Sequence, residues 1–165
     1  MTRITIPYPI VRGMFAECDK YPTVETGGRL LGFYNQTRKG LWIEVRAVLP
    51  AGPKARRTAI SFFNDGEYQE RLFRSIEAKH PQIDHLGNWH SHHCNGLETL
   101  SDGDRTTYVN TVNSPKHNTD FFLSLLVIKP DNYKLKAFLA FRRSSQISEV
   151  TDSLDVSRKL PILDL

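Results

Sequence analysis

Apolar residues recur along the chain with two different periods, and the points where the period changes mark its elements. Between Pro9 and Lys20, Ile10, Met14, Phe15 and Cys18 fall at helical spacing, and Pro22 stops the run. The run Gly27 to Tyr34 reads as a buried strand that begins at a glycine pair, and a polar turn from Asn35 to Gly40 follows it. In Leu41 to Val48 apolar and polar residues partly alternate, as on a sheet strand. A Gly-Pro-basic loop, Gly52 to Arg57, leads to a short strand around Ile60 to Phe63. Asn64 or Asp65 can cap a helix reaching about Lys79, with Tyr68, Leu72, Phe73 and Ile76 on one stripe and Pro81 ending it. Ile83 to His92 predicts a strand, His93 to Leu100 a loop, and Asp102 to Val112 a helix that ends before Asn113-Ser114-Pro115. Phe121 to Ile128 is apolar throughout and reads as an interior strand, joined through Pro130-Asp131-Asn132 to Tyr133 to Arg142 as a hairpin. Roughly the last twenty residues read either as an edge strand with a loop or as a peripheral tail. Helices interleaved with strands of both senses predict an α/β (α+β) fold, a mixed β-sheet with helices packed on its faces. No repeat or linker divides the chain, so residues 1–165 are assigned to one domain.

Composition narrows the class. The chain has 165 residues, 39% of them apolar and 24% charged, enough for a hydrophobic core of its own. No run of about 18 apolar residues occurs, so no membrane span is expected. Met1-Thr2-Arg3-Ile4 does not open a secretory signal, and two cysteines, Cys18 and Cys94, make no disulfide framework; both point to a reducing, cytoplasmic setting. The net charge of +4 gathers partly in Lys54 to Arg57 and in Arg142-Arg143. Acidic residues are scattered through the same regions and no nucleic-acid motif accompanies them, so these positions read as solvated surface or a protein-partner patch rather than a nucleic-acid site.

The segment richest in chemistry is Asn88-Trp89-His90-Ser91-His92, followed by Leu100-Ser101-Asp102-Gly103-Asp104. Residues two apart on a strand share a face about 6.5–7 Å apart, so His90 and His92 can turn both imidazoles toward one point. That suits a divalent metal, with Asp104 as a third ligand at the start of the next helix; three protein ligands and one open position is the pattern of catalytic zinc sites. Ser101 and Asp104 also match a helix capping box, and the two roles can coexist. Glu25, just before Thr26-Gly27-Gly28, reads on spacing alone as a loop carboxylate, although hydrolysis at a metal needs a nearby base. Trp89 should face the core, and Cys18 reads as a small core residue. His80, His85 and His117 read as surface or helix-end histidines, and His93 and Cys94 lie near enough to be alternative contacts of the metal.

Taken in order, Glu25 ahead of a glycine-containing strand, His90-Ser91-His92, and Ser101-x-x-Asp104 resemble the signature of the JAMM family of MPN-domain metallopeptidases. The likeness runs from about Phe15 to Ile128. It implies an MPN-like fold and one zinc ion per chain held by His90, His92 and Asp104. It also implies Glu25 as the water-activating base and Ser101 as the oxyanion-stabilising serine. Gly52 to Thr58 and Leu86 to His92 are similar to the bacterial members encoded beside ubiquitin-like activating and conjugating enzymes, in antiphage systems such as CBASS and Bil operons. That subgroup implies an isopeptidase or peptidase cutting after a ubiquitin-like protein's C-terminus. Eight residues separate His92 from Ser101, one more than in the family pattern, and His93 stands where proline is usual, which implies a different loop path with the ligands intact. Other readings are a catalytically silent scaffold of the same fold and a peptidase for a sulfur-carrier protein. A zinc deaminase would need a Cys-x-x-Cys that is absent.

Overall fold

The computed structural model describes residues 1–164; Leu165, the last residue of the expected domain, lies outside the described residues. Among the described residues ten strands and three α-helices follow in the order β1 (Thr2–Pro7), α1 (Tyr8–Lys20), β2 (Gly27–Thr37), β3 (Gly40–Pro50), β4 (Arg56–Arg57), β5 (Phe62–Phe63), α2 (Gly66–Lys79), β6 (Asp84–Ser91), α3 (Asp102–Asn113), β7 (Phe121–Ile128), β8 (Lys134–Phe141), β9 (Ile147–Glu149) and β10 (Leu154–Ser157), with one 3-10 turn at Thr151–Ser153. Eight strands form one mixed sheet in the order β10-β1-β3-β2-β6-β7-β8-β9, and β4 pairs with β5 in a separate hairpin. The β6–β7 pair is parallel, as are β1–β3 and β1–β10, whereas β2 runs antiparallel to both β3 and β6. The expected α/β (α+β) class and mixed sheet with packed helices are what the structure has.

Sequence logic is visible in the cores. Every residue of β7 is buried because both faces are covered. Leu123, Leu125 and Val127 join Leu86 and Trp89 in the cluster beneath α1, where Ile10, Val11, Met14 and Cys18 pack. Phe122, Leu126 and Ile128 face the other way, against Tyr108 and Val112 of α3. Further along that second face, Leu31, Ala47 and Leu49 pack against Phe73 and Ile76 of α2. The two clusters on this face leave a polar strip between them, and Arg29, Asn88 and His90 occupy it.

A bulge shapes that strip. The β2–β6 register shifts between Leu30 and Leu31, opposite Gly87, whose φ of +147° suits glycine; a Cβ there would also run into the Leu123 carbonyl. His85, expected at the surface or a helix end, consequently packs its ring on Phe73 with centroids 3.8 Å apart. The other expectations meet the structure with smaller shifts. Asp65 caps α2, accepting from the Tyr68 N–H. β1 went unrecognised in the sequence, and the strand pattern of β2 runs on through the polar residues to Thr37. The C-terminal residues make two edge strands, with Ile4 opposite Leu154 in parallel pairing, and Leu163 then donates its N–H to the Arg46 carbonyl. Among the described residues no helix is long and apolar enough to cross a membrane.

Candidate metal centre

Each candidate ligand is delivered by a different piece of local structure. His90 lies on β6 opposite Leu126 of β7, with its ring toward α3. His92 stands just past the end of β6 and keeps the pairing, its N–H donating to the Val127 carbonyl at 2.9 Å. Asp104 is the third residue of α3, fixed by the capping box expected there. Its backbone N–H donates to Ser101 Oγ at 3.0 Å, and its Oδ2 accepts from the Ser101 N–H at 2.9 Å. The cap and the ligand role therefore share one carboxylate.

These three side chains converge. His90 Nε2 lies 3.2 Å from His92 Nε2 and 3.1 Å from Asp104 Oδ2, and His92 Nε2 lies 3.2 Å from the same oxygen. A tetrahedral zinc site with bonds of about 2.05 Å has ligand–ligand edges of about 3.3 Å, close to every side of this triangle. Glu25 Oε1 adds a fourth donor 3.3 Å from His92 Nε2, and Glu25, His90 and His92 offer ligand atoms within 4.8 Å of one another. Asp104 touches both histidines, while Glu25 approaches only one this closely; the geometry favours Asp104 as ligand and leaves Glu25 beside the site. Glu25 is 1% exposed and its Oε2 has no hydrogen-bond partner, so a buried acceptor stands free next to the triangle.

The electrostatics call for a cation. Burial works against a charged His92, yet hydrogen bonds to Asp104 and Glu25 outweigh it and raise its pKa to about 9. Burial likewise works against an ionised Asp104, but hydrogen bonds from His90 and His92 hold its carboxyl well below the usual range. Two carboxylates and two imidazoles thus gather around one point that draws in positive charge; a divalent ion supplies it without protonating a ligand. The donor set of two imidazole nitrogens and one carboxylate is that of a catalytic zinc site. Residues and metal fit.

The supports were less visible in the sequence. Tyr108, one helical turn after Asp104, places its hydroxyl 3.1 Å from His90 Nδ1; the four-residue spacing on α3 was the available signal. Glu25 is held through its backbone. Its N–H donates to the Thr58 carbonyl at 2.8 Å, and the next N–H, of Thr26, donates to Ser91 Oγ at 3.0 Å. Arg57, expected in a solvated or protein-partner patch, donates to Thr26 Oγ1 and lays its guanidinium over Tyr21, 4.1 Å from the ring centroid. Gly27 closes the arrangement: a Cβ there would meet the Trp89 carbonyl and the Phe62 ring. His93 and Cys94 turn elsewhere, His93 Nε2 toward the Tyr21 carbonyl at 2.7 Å and Cys94 Sγ toward the Ala59 carbonyl at 3.5 Å. Trp89 packs in the core beneath α1 as expected. Cys18 does too, with burial pushing its thiol up to about 12.

The fold is a mixed α+β sheet with a candidate metal centre at the end of β6, and known proteins share parts of this. The solution structure of protein DSY2949 from Desulfitobacterium hafniense matches 95% of this chain and 94% of its own with a TM-score of 0.70; at 19% identity this is a likeness of fold. In sequence, the probable metalloprotease y4qB of Sinorhizobium fredii (strain NBRC 101917 / NGR234) is 27% identical over 90 residues, which span 54% of this chain. The match spans about half the length of that relative, 53%. No protein-family model matches the chain.

Proposed function

We propose that this chain is a zinc-dependent peptidase of the JAMM type that cleaves after the C-terminus of a ubiquitin-like protein, either releasing it from targets or maturing its precursor. The observation that carries this reading is the triangle of His90 Nε2, His92 Nε2 and Asp104 Oδ2 with the buried, half-satisfied Glu25 carboxylate at its side. The partial likeness to a probable metalloprotease supports the peptidase class. The order of Glu25, the His-Ser-His pair and Ser101-x-x-Asp104 supports the family.

Zinc at this point supplies Lewis-acid chemistry, polarising a carbonyl and bringing the pKa of a water toward neutrality. The protein's own groups do the rest. Glu25, anchored at both sides of its backbone, takes the proton of the attacking water and returns it to the leaving amine. Ser101 Oγ accepts from the Asp104 N–H, which leaves its own O–H free to donate to the oxyanion, a contribution typically worth about 3 kcal/mol. Tyr108 accepts from His90 Nδ1 and so holds Nε2 pointing inward. We take the partners to be the ubiquitin-like substrate and the activating and conjugating enzymes of a bacterial defence operon. The test is to incubate the protein with ubiquitin-like fusions, with and without a chelator. Chelator-sensitive cleavage after the modifier's last residue is expected, and Glu25→Gln should retain zinc while losing activity by orders of magnitude. Full cleavage by Glu25→Gln, or a purified protein without stoichiometric zinc affinity, would refute the mechanism.

A further inference from the structure

The strip between α2 and α3 carries one more charged group. Arg29 on β2 pairs across to Asn88 on β6 and lines the same cleft, of about 360 Å³, as His90, Ser101 and Asp104. Past Arg29 and Asn88 the cleft meets a second hollow of about 200 Å³, bordered by Glu70, His85, Lys116 and His117. Arg29 is partly buried, and among the described residues no carboxylate forms an ion pair with it and no carbonyl accepts from it. Glu70, the carboxylate whose charge reaches it, is held by Arg74 at 2.8 Å. Within the 360 Å³ cleft itself the other charged side chain is Asp104, whose Oδ2 is held by His90, His92 and the Ser101 N–H. A guanidinium stripped of part of its water and left unpaired is costly, and a carboxylate, which matches its planar fork with two parallel hydrogen bonds, is the ligand that offsets the cost best.

Position sets how far from the scissile bond the bound group lies. Asn88 precedes His90 by two residues on β6, about 6.6 Å, and Arg29 lies one strand away, about 4.8 Å to the side. The distance of roughly 8 Å equals about two residues of extended chain. On the α1 side of the same strands lies a different groove, apolar, lined by Ile10, Met14, Val48 and Trp89. The polar, cationic cleft is therefore the one fitted to a charged end.

We propose that Arg29 is a specificity residue that receives a carboxylate carried by the leaving segment of the substrate, one or two residues beyond the scissile bond. This rests on the peptidase reading for its register, while the carboxylate site itself is testable by binding alone. The carboxylate has two sources, the α-carboxylate of a short C-terminal leaving peptide or an acidic side chain in a longer one.

The experiment titrates the zinc-loaded full chain by calorimetry with Ala-Phe as free acid and as amide, and with Ala-Asp amide and Ala-Asn amide. Wild type should bind at least one acidic ligand about tenfold or more tightly than its neutral counterpart. Preference for the free acid marks the α-carboxylate, and preference for Asp over Asn marks a side chain. Arg29→Gln should bring the ratio close to one, and Arg29→Lys should retain part of it; should Arg29→Gln fail to fold, the Lys variant carries the comparison, with thermal unfolding and zinc content as controls. With the acyl-Gly-Gly extension of whichever pair wild type discriminates as substrates (Ala-Phe acid and amide, or Ala-Asp amide and Ala-Asn amide), Arg29→Gln should raise KM for the acidic member at unchanged kcat and leave both constants for the neutral member unmoved, a split that a merely structural role would not produce. Equal binding of both acid–neutral pairs by wild type, or a preference that survives in Arg29→Gln, overturns the proposal. Cleavage of that acidic substrate and its neutral counterpart without preference would sink Arg29 and spare the peptidase, whereas acid-selective binding without cleavage of any peptide would do the reverse.

Discussion

Replacing Tyr108 by Phe tests whether the centre is built to hold a metal in a set orientation. The hydroxyl is the partner of His90 Nδ1 at 3.1 Å, and the site around it is closed, with the Tyr108 ring stacked on Phe122 at a centroid separation of 4.8 Å. Phe keeps that stacking and removes one oxygen. When His90 Nε2 is a ligand, its proton sits on Nδ1 and needs an acceptor; in the variant it has none. Leaving a buried polar group unpaired costs about 1–3 kcal/mol, and loss of an outer partner of a ligating histidine typically weakens metal binding about 10–100-fold, or about 1.4–2.7 kcal/mol. The two ranges agree, so a zinc affinity weaker by about 30-fold is expected. Competition against a chromophoric chelator at neutral pH measures it, with thermal unfolding of the metal-free protein as the control for folding. His92 and Asp104 are untouched, so binding should weaken rather than vanish. An affinity within twofold of wild type would mean that the Tyr108–His90 contact does not serve a ligand.

Three further changes probe other parts of the structure. Asp104→Ala removes the oxygen that both histidines face and one half of the capping box, so stoichiometric zinc should be lost in dialysis and elemental analysis, with α3 weakened by about 1 kcal/mol in denaturant titration. Gly27→Ala sets a methyl against the Trp89 carbonyl and the Phe62 ring, and should lower stability by about 1–3 kcal/mol while moving the Glu25 segment enough to depress activity. His85 gives a pH signature. Burial first, then Arg29, Arg74 and His117, lower its pKa from 6.5 to about 3, while Glu70 Oε2 at 3.7 Å pulls the other way. Below pH 6.5 the unfolded chain takes up a proton that the folded one refuses. The stability gained by excluding it is complete above pH 6.5 and is lost as pH falls toward 3, by at most about 2 kcal/mol at pH 5. His85→Phe should lose less stability than wild type between pH 7 and pH 5 in urea titrations; parallel losses would show that the imidazole is not the group responsible.

Local signals were readable where they sufficed and unreadable where partners come from far away. β7 was legible to the residue because a strand covered on both faces must be apolar at every position. α2 was legible because Asp65 caps it and the apolar stripe Phe73–Ile76 fits one face. β1 was not, although Ile4 and Ile6 alternate with Arg3 and Thr5, since what holds it is parallel pairing to β3 and β10, one some forty residues on and one from near the end. Of the two-residue hairpin strands, β5 falls within the short strand expected around Ile60 to Phe63, whereas β4 falls in the stretch read as a loop and is too short to leave a period. In the site, the histidine spacing and the cap were readable as chemistry. Arg57 was not, because a basic run looks alike whether it is solvated or, as here, laid over Tyr21 and bonded to Thr26. His85 was misjudged as surface because the bulge at Gly87 decides which face it takes.

The capping box shows why stability and chemistry coincide at the start of α3. A free aspartate would sample several rotamers and lose that freedom on meeting a metal. Here the carboxylate is already locked: Oδ2 accepts from the Ser101 N–H, and the Asp104 N–H is tied to Ser101 Oγ. The same helix turn then brings Tyr108 to the far side of His90. One cap therefore sets a candidate ligand, the orienting partner of a second candidate and the hydroxyl proposed for the oxyanion. The helix dipole adds to it, since a negative charge at the first turn is favoured with or without a metal. A helix end that is stable for its own reasons presents the donor with little left to organise, and the loop between His92 and Ser101 can vary without disturbing it.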